Sequence, residues 1–83
     1  MSAKKQKIVT LDVRQEIANG GEPFPLIMRA VAGLRTDEKL LLIAPFEPVP
    51  LYDVMAMQGF THQATPMADG DWEVLFSRYN DAA

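Results

Sequence analysis

Val9, Leu11 and Val13 alternate with Thr10, Asp12 and Arg14, the period of a strand with one buried face. Asn19-Gly20-Gly21 follows, and residues that tolerate positive φ in such a run predict a loop. Pro23-Phe24-Pro25 stiffens the exit from that loop, with Pro25 suited to the first position of a helix. From Leu26 the period changes. At about 100° per residue, Leu26, Ile27, Ala30, Val31 and Leu34 fall within an arc of roughly 140°, with Arg29 and Arg35 outside it. This predicts an amphipathic helix of about three turns that ends near Thr36-Asp37.

Leu40 to Ala44 is an unbroken apolar run with charge before it and Pro45 after it, and reads as a central strand. Pro45, Pro48 and Pro50 exclude regular structure until Pro50 offers a second helix start. Leu51, Val54, Met55 and Gln58 then share one side of a short helix, opposite Asp53, and Gly59 suits the left-handed residue that closes it. Phe60–Met67 and Trp72–Tyr79 flank Asp69-Gly70, the signal for a hairpin with a two-residue turn. Pro66 has no N–H to give to a ladder, so the first arm of that hairpin belongs at a sheet edge.

The order strand, helix, strand, helix, hairpin predicts an α+β two-layer sandwich, β-α-β-α-β-β, with two helices on one face of a four-stranded mixed sheet. The first crossover is right-handed and joins parallel strands. A single domain over residues 8–80 stands behind a flexible tail at 1–7. With a two-residue turn at Asp69-Gly70, His62 pairs with Ser77 across the hairpin. Trp72, Val74 and Phe76 then face the helices. Glu73, Leu75, Ser77 and Tyr79 face outward, joined in the same register by Phe60 and His62. The open face so defined carries a patch of Phe60, Leu75 and Tyr79, the kind of apolar surface that marks a contact site. The alternative is the reverse assignment of inside and outside.

Composition narrows the function classes. The 83 residues make one core, and 48% hydrophobic with 23% charged is ordinary globular usage. Cysteine is absent, which removes disulfides, thiolate metal sites and cysteine nucleophiles together. Eight Lys plus Arg against eleven Asp plus Glu give a net charge of -3, so an overall basic footprint for nucleic acid is missing. Lys4, Lys5, Lys7 and Arg78 offer only a local basic patch. The longest apolar run, Leu40 to Phe46, is far short of the roughly twenty residues of a membrane span. No secretory h-region follows the first lysines. The expectation is a cytoplasmic protein with no cofactor and no membrane contact.

Leu11-Asp12-Val13-Arg14, Pro23-Phe24-Pro25, Pro48-Val49-Pro50-Leu51-Tyr52, Gly59-Phe60 and Trp72-Glu73-Val74, in this order and spacing, resemble an uncharacterised bacterial family related to the TusA/SirA-like sulfur-carrier proteins. The resemblance runs from about Val9 to Arg78 and implies the TusA/SirA-like fold, with sheet order 1-2-4-3 and the Pro66 strand at an edge. Sulfur carriers of that group place a Cys-Pro-x-Pro motif at the start of the first helix, where the helix N-terminus favours a thiolate. This chain has Glu22-Pro23-Phe24-Pro25 instead. A carboxylate stores no sulfane sulfur, so persulfide relay by this chain alone is excluded.

Several residues stand out as candidates. Glu22 occupies the carrier's reactive position; its plain reading is a charge favoured near a helix N-terminus. Asp12 and Arg14 read as a structural pair, or as lining one site with Glu22, Pro23 and Pro25, where an Arg holds an anion bidentately. His62 is the lone histidine, without the convergent partners that zinc or a nucleophile relay needs. Asp69, Asp71 and Glu73 read as a solvated turn without calcium-loop spacing. No catalytic residue and no metal ligand is singled out. The leading expectation is a non-catalytic binding or protein-interaction module that meets a second copy or another protein through the open sheet face, at Phe60, His62, Leu75 and Tyr79, or through the loop preceding Pro25. The alternative is a small-ligand protein or enzyme at the carboxylate and Arg cluster near the first helix.

Overall fold

A computed structural model describes residues 7–79. Residues 1–6, with Lys4 and Lys5 of the expected tail and basic patch, lie outside the described residues. Lys7, also expected in that tail, is already the first residue of β1 (Lys7–Asp12) and pairs with Glu38. The remaining elements are α1 (Arg14–Ala18), α2 (Pro23–Ala32), β2 (Glu38–Ala44), α3 (Val49–Met57), β3 (Phe60–Pro66) and β4 (Trp72–Arg78).

The sheet is mixed, in the order β1-β2-β4-β3, with β1 parallel to β2 and the other two pairings antiparallel. Pro66 lies on an edge strand, where its missing donor leaves no gap in a ladder. Every buried sheet residue is on one face: Leu40, Leu42 and Ala44 of β2, Val74 and Phe76 of β4, and Phe60 of β3. Ile27 and Val31 of α2 and Leu51 and Met55 of α3 close over them, with Val13. Among the described residues there are three α-helices rather than two, and none of these residues covers the opposite sheet face.

The extra helix is α1. Asp12 accepts the backbone N–H of Arg14 at 3.0 Å and bends the chain out of the strand. Val13 is then 1% exposed in the core, and Ile17, one turn later, packs against it. Arg14, expected to end the strand, instead begins this helix. The prolines act where their chemistry suits them: Pro23 opens α2, and Pro50 stands in the first turn of α3. α2 ends at Ala32, earlier than the apolar arc predicts, with Gly33 donating to Arg29 and Ala30 carbonyls. Leu34 and Arg35 lead into a turn at Thr36-Asp37, and their carbonyls accept from Arg78 Nη2 at 3.2 and 3.5 Å.

The hairpin differs from expectation by one residue. Pro66 pairs with Trp72, and Met67 N–H donates to Asp71 O at 2.7 Å, enclosing Ala68-Asp69-Gly70 as a three-residue loop. Asp69 (φ 67°) and Gly70 (φ 82°) both take left-handed conformations there. His62 therefore pairs with Phe76, and Ser77 with Thr61. Because side chains alternate with period two, the shift moves all of β3 to the other face. Phe60 and His62 are on the helix side, and the expected outer patch loses its phenylalanine to the core. β1 starts and β4 ends at one end of the sheet, where Lys7 pairs Glu38 and Arg78 pairs Phe60.

Candidate functional site

The C-terminal end of β1 gathers charge. Arg14 donates through Nε and Nη2 to both Asp12 carboxylate oxygens (3.0, 3.2 and 2.7 Å), and through Nη1 to Asp71 at 2.7 Å. Asp71, from the hairpin end, was legible only as part of a turn. The sheet order brings it within reach of a residue 57 positions away. Hydrogen bonds from Arg14 hold the Asp12 carboxyl below the usual range, and the two carboxylates push the Arg14 guanidinium up. The fork is spent internally. An anion at Arg14 would have to displace two carboxylates of its own sign.

Glu22 is the residue just before the first turn of α2, with extended backbone (φ -107°, ψ 115°) and no side-chain capping bond. The expected position at the helix mouth is therefore observed. No contact joins it to Asp12 or Arg14 among the described hydrogen bonds and ion pairs. Pro23, not Pro25, takes the first position of that helix, which begins two residues earlier than expected, and Pro25 is its exposed third residue.

Beside this mouth the α2 and α3 starts form an apolar groove of about 310 Å³, lined by Pro23, Phe24, Ile27, Phe46, Pro48, Pro50, Leu51 and Val54. Phe24 and Phe46 are 48% and 50% exposed, an unusual position for such large apolar rings. Prolines on both sides of Phe24, and Pro45 and Pro48 around Phe46, fix the backbone that presents them. The proline-flanked phenylalanines are visible in the sequence. Their meeting depends on how α2 and α3 pack.

His62 stacks on Tyr52 of α3, with centroids 3.7 Å apart and planes 6° from parallel, and leans on Phe76 at 6.5 Å. It is exposed at the sheet edge, and Ser77 points to the opposite face, so the two do not form a pair. Tyr52 donates to Glu47 Oε2 at 3.2 Å. Burial first, and then that hydrogen bond, push the Tyr52 phenol up to about 12. Since the folded value lies above the unfolded value of about 10, this group's contribution to stability is whole below pH 10 and is lost as pH rises from 10 to 12. A phenolate absorbance titration should show a component near 12 that Tyr52→Phe removes. A wild-type curve matched by Tyr52→Phe, apart from amplitude, would refute this.

Leu75 sits at the centre of the uncovered face beside Leu41, and Tyr79, 72% exposed, lies just past β4 with its N–H on Gly59 O at 2.7 Å. Among the described residues no group of three His, Cys, Asp or Glu side chains is placed to hold a metal ion, and no helix is long and apolar enough to cross a membrane.

The fold and site define a small α+β protein with one bare sheet face and an aromatic groove at a helix mouth. The chain belongs to the family described as "Uncharacterized conserved protein (DUF2249)", whose model matches residues 10–78. No curated protein and no solved structure matches it.

Proposed function

We propose that the chain is a non-catalytic, TusA/SirA-like protein-interaction module of the cytoplasm, which binds a partner at the helix mouth and carries no persulfide. The observation that carries the reading is the groove between Phe24 and Phe46. It lies beside Glu22, the position at which the resembling carriers hold their cysteine. Sheet order β1-β2-β4-β3 is the order that resemblance implies. With no cysteine in the chain, recognition is the part of a carrier's task still chemically open.

The occupant is a protein segment with one or two large apolar side chains flanked by Lys or Arg. The lining is hydrocarbon, and the volume suits one or two side chains. Glu22 and Glu47, chain neighbours of Pro23 and Phe46, make the rim acidic. Arg29, two residues after Ile27, is turned about 200° round α2 from it. Opposite charge at such a rim favours a cationic partner. The small-ligand or enzyme reading around Asp12, Arg14 and Glu22 has less support, because Arg14 has committed its donors to Asp12 and Asp71.

Selection from a displayed library of random twelve-residue peptides tests the reading. Enriched peptides should carry an aromatic or Leu beside Lys or Arg, and Phe46→Ala should weaken them at least tenfold, as for a buried aromatic anchor. Phe46 is half exposed, so trimming it should leave the fold intact, as an unchanged circular dichroism spectrum would show. Lack of enrichment, or peptides indifferent to both Phe24→Ala and Phe46→Ala, would remove the groove from the function.

A further inference from the structure

The uncovered sheet face carries an ordered arrangement of charge. The registers place three cross-strand rows on it. Ile8 and Lys39 head the first row, Thr10, Leu41, Leu75 and Gln63 form the second, and Asp12, Ile43, Glu73 and Thr65 form the third. Among the described strand residues of this face, the first row holds the one cation, the third holds the two acids, and the middle row is apolar at its centre. Asp12 is already held by Arg14, which leaves Lys39 and Glu73 without an ion-pair partner in the chain among the described residues. Lys39 is four residues from Ile43, the neighbour of Glu73, so the two are about 13 Å apart along the strands and do not meet within one copy.

A two-fold axis lying in the plane of the face and running along the middle row exchanges the first and third rows. We infer that this face pairs with a second copy of the same chain about such an axis, with Leu41 and Leu75 of both copies at the centre and Lys39 of each copy meeting Glu73 of the other. The same contact is then made twice, as an isologous interface requires. A shallow hollow of about 340 Å³, bordered by Ile8, Leu41, Gln63, Thr65, Glu73 and Leu75, gives the second copy's middle row a seat. Ile8, 56% exposed, gains cover at the margin. Two sheets stacked face to face at about 10 Å is an ordinary way to bury such surfaces.

The size of the face sets the strength. Four strands about 4.8 Å apart and five residues at about 3.3 Å make a patch of roughly 19 by 17 Å. That is small beside the ~800 Å² per partner of a standard interface. The dimer is therefore weak, with a dissociation constant on the order of 100 µM, and it loosens as salt screens the two ion pairs. This pairing is independent of the groove, which lies on the helix layer.

Sedimentation equilibrium of the full chain in low salt, from roughly 10 µM to 1 mM, decides the matter. The average mass should climb from 9.2 kDa towards twice that value. Lys39→Glu sets like charges against each other and should raise the dissociation constant at least tenfold. Adding Glu73→Lys to it should bring the constant back to within about threefold of wild type, because the reversed pairs re-form. Leu75→Lys, with circular dichroism unchanged, should leave only monomer, and Phe46→Ala should leave the dimer as it was. A chain still monomeric at the highest concentration would overturn the inference. So would a dimer indifferent to Lys39→Glu and Leu75→Lys, or a double variant no better than the single one.

Discussion

Phe76→Ala should lower the unfolding free energy by about 3–5 kcal/mol, while Leu75→Ala, one residue earlier, should change it by less than about 1 kcal/mol. Both are large apolar residues of β4, and strand alternation sends them to opposite faces. Phe76 is 0% exposed, with Leu40 beside it on β2 and His62 beside it on β3. Its removal leaves a cavity roofed by helices that cannot fully collapse. Leu75 already borders solvent, so trimming it gives back little buried area. For a domain this small the first loss is a large share of the roughly 5–15 kcal/mol typical of native stability. Urea unfolding of the two variants below 10 µM, where any dimer is dissociated, reads the difference. Equal costs would mean that both faces are covered alike.

Phe60→Ala should cost about 3–5 kcal/mol as well, although the residue stands at the start of an edge strand. The ring is 4% exposed, and the Arg78 guanidinium carbon lies 5.0 Å from its centroid. Arg78 Nε is buried without a hydrogen-bond partner among the described residues, while Nη2 holds the Leu34 and Arg35 carbonyls after α2. The face of Phe60 is thus the electron-rich surface that this cation rests on. Removing the ring opens a hole and strips that support together. Gln63→Ala, three residues along the same strand but on the bare face, serves as the control and should stay within about 0.5 kcal/mol of wild type. A Phe60→Ala variant as stable as that control would return Phe60 to the outer face.

That second experiment addresses the point at which sequence reasoning went astray. Asp69-Gly70 is a genuine turn signal, and the turn is there, but the closing pair is Met67 with Asp71. The choice between two loop residues and three rests on whether Ala68 joins the left-handed pair Asp69-Gly70 in the loop. The strand beyond it inverts with that choice. On β4, by contrast, Trp72, Val74 and Phe76 face the helices as their alternation implies, because the burial of two helices decides their side directly. The edge position of β3 was legible from Pro66 for a chemical reason that no packing overrides. α1 left almost no periodic trace: five residues supply one core contact, Ile17. The Arg14 contact with Asp71 had none, since it depends on β4 lying next to β2. At the candidate site, Glu22 was placed by its proline neighbours, whereas the groove arises from two helix starts brought together in space.

Lys7 and Arg78 leave the sheet at one pole, on strands separated only by β2, so about 10 Å divides the two points. Phe24 and Phe46 occupy the other pole, where β2 has ended and α2 begins. A tether or fused domain joined at either end would thus hang away from the aromatic groove and leave it accessible. A short linker closing that gap would also permit new ends to be cut in the Ala68–Gly70 loop, giving a circular permutant with the same sheet.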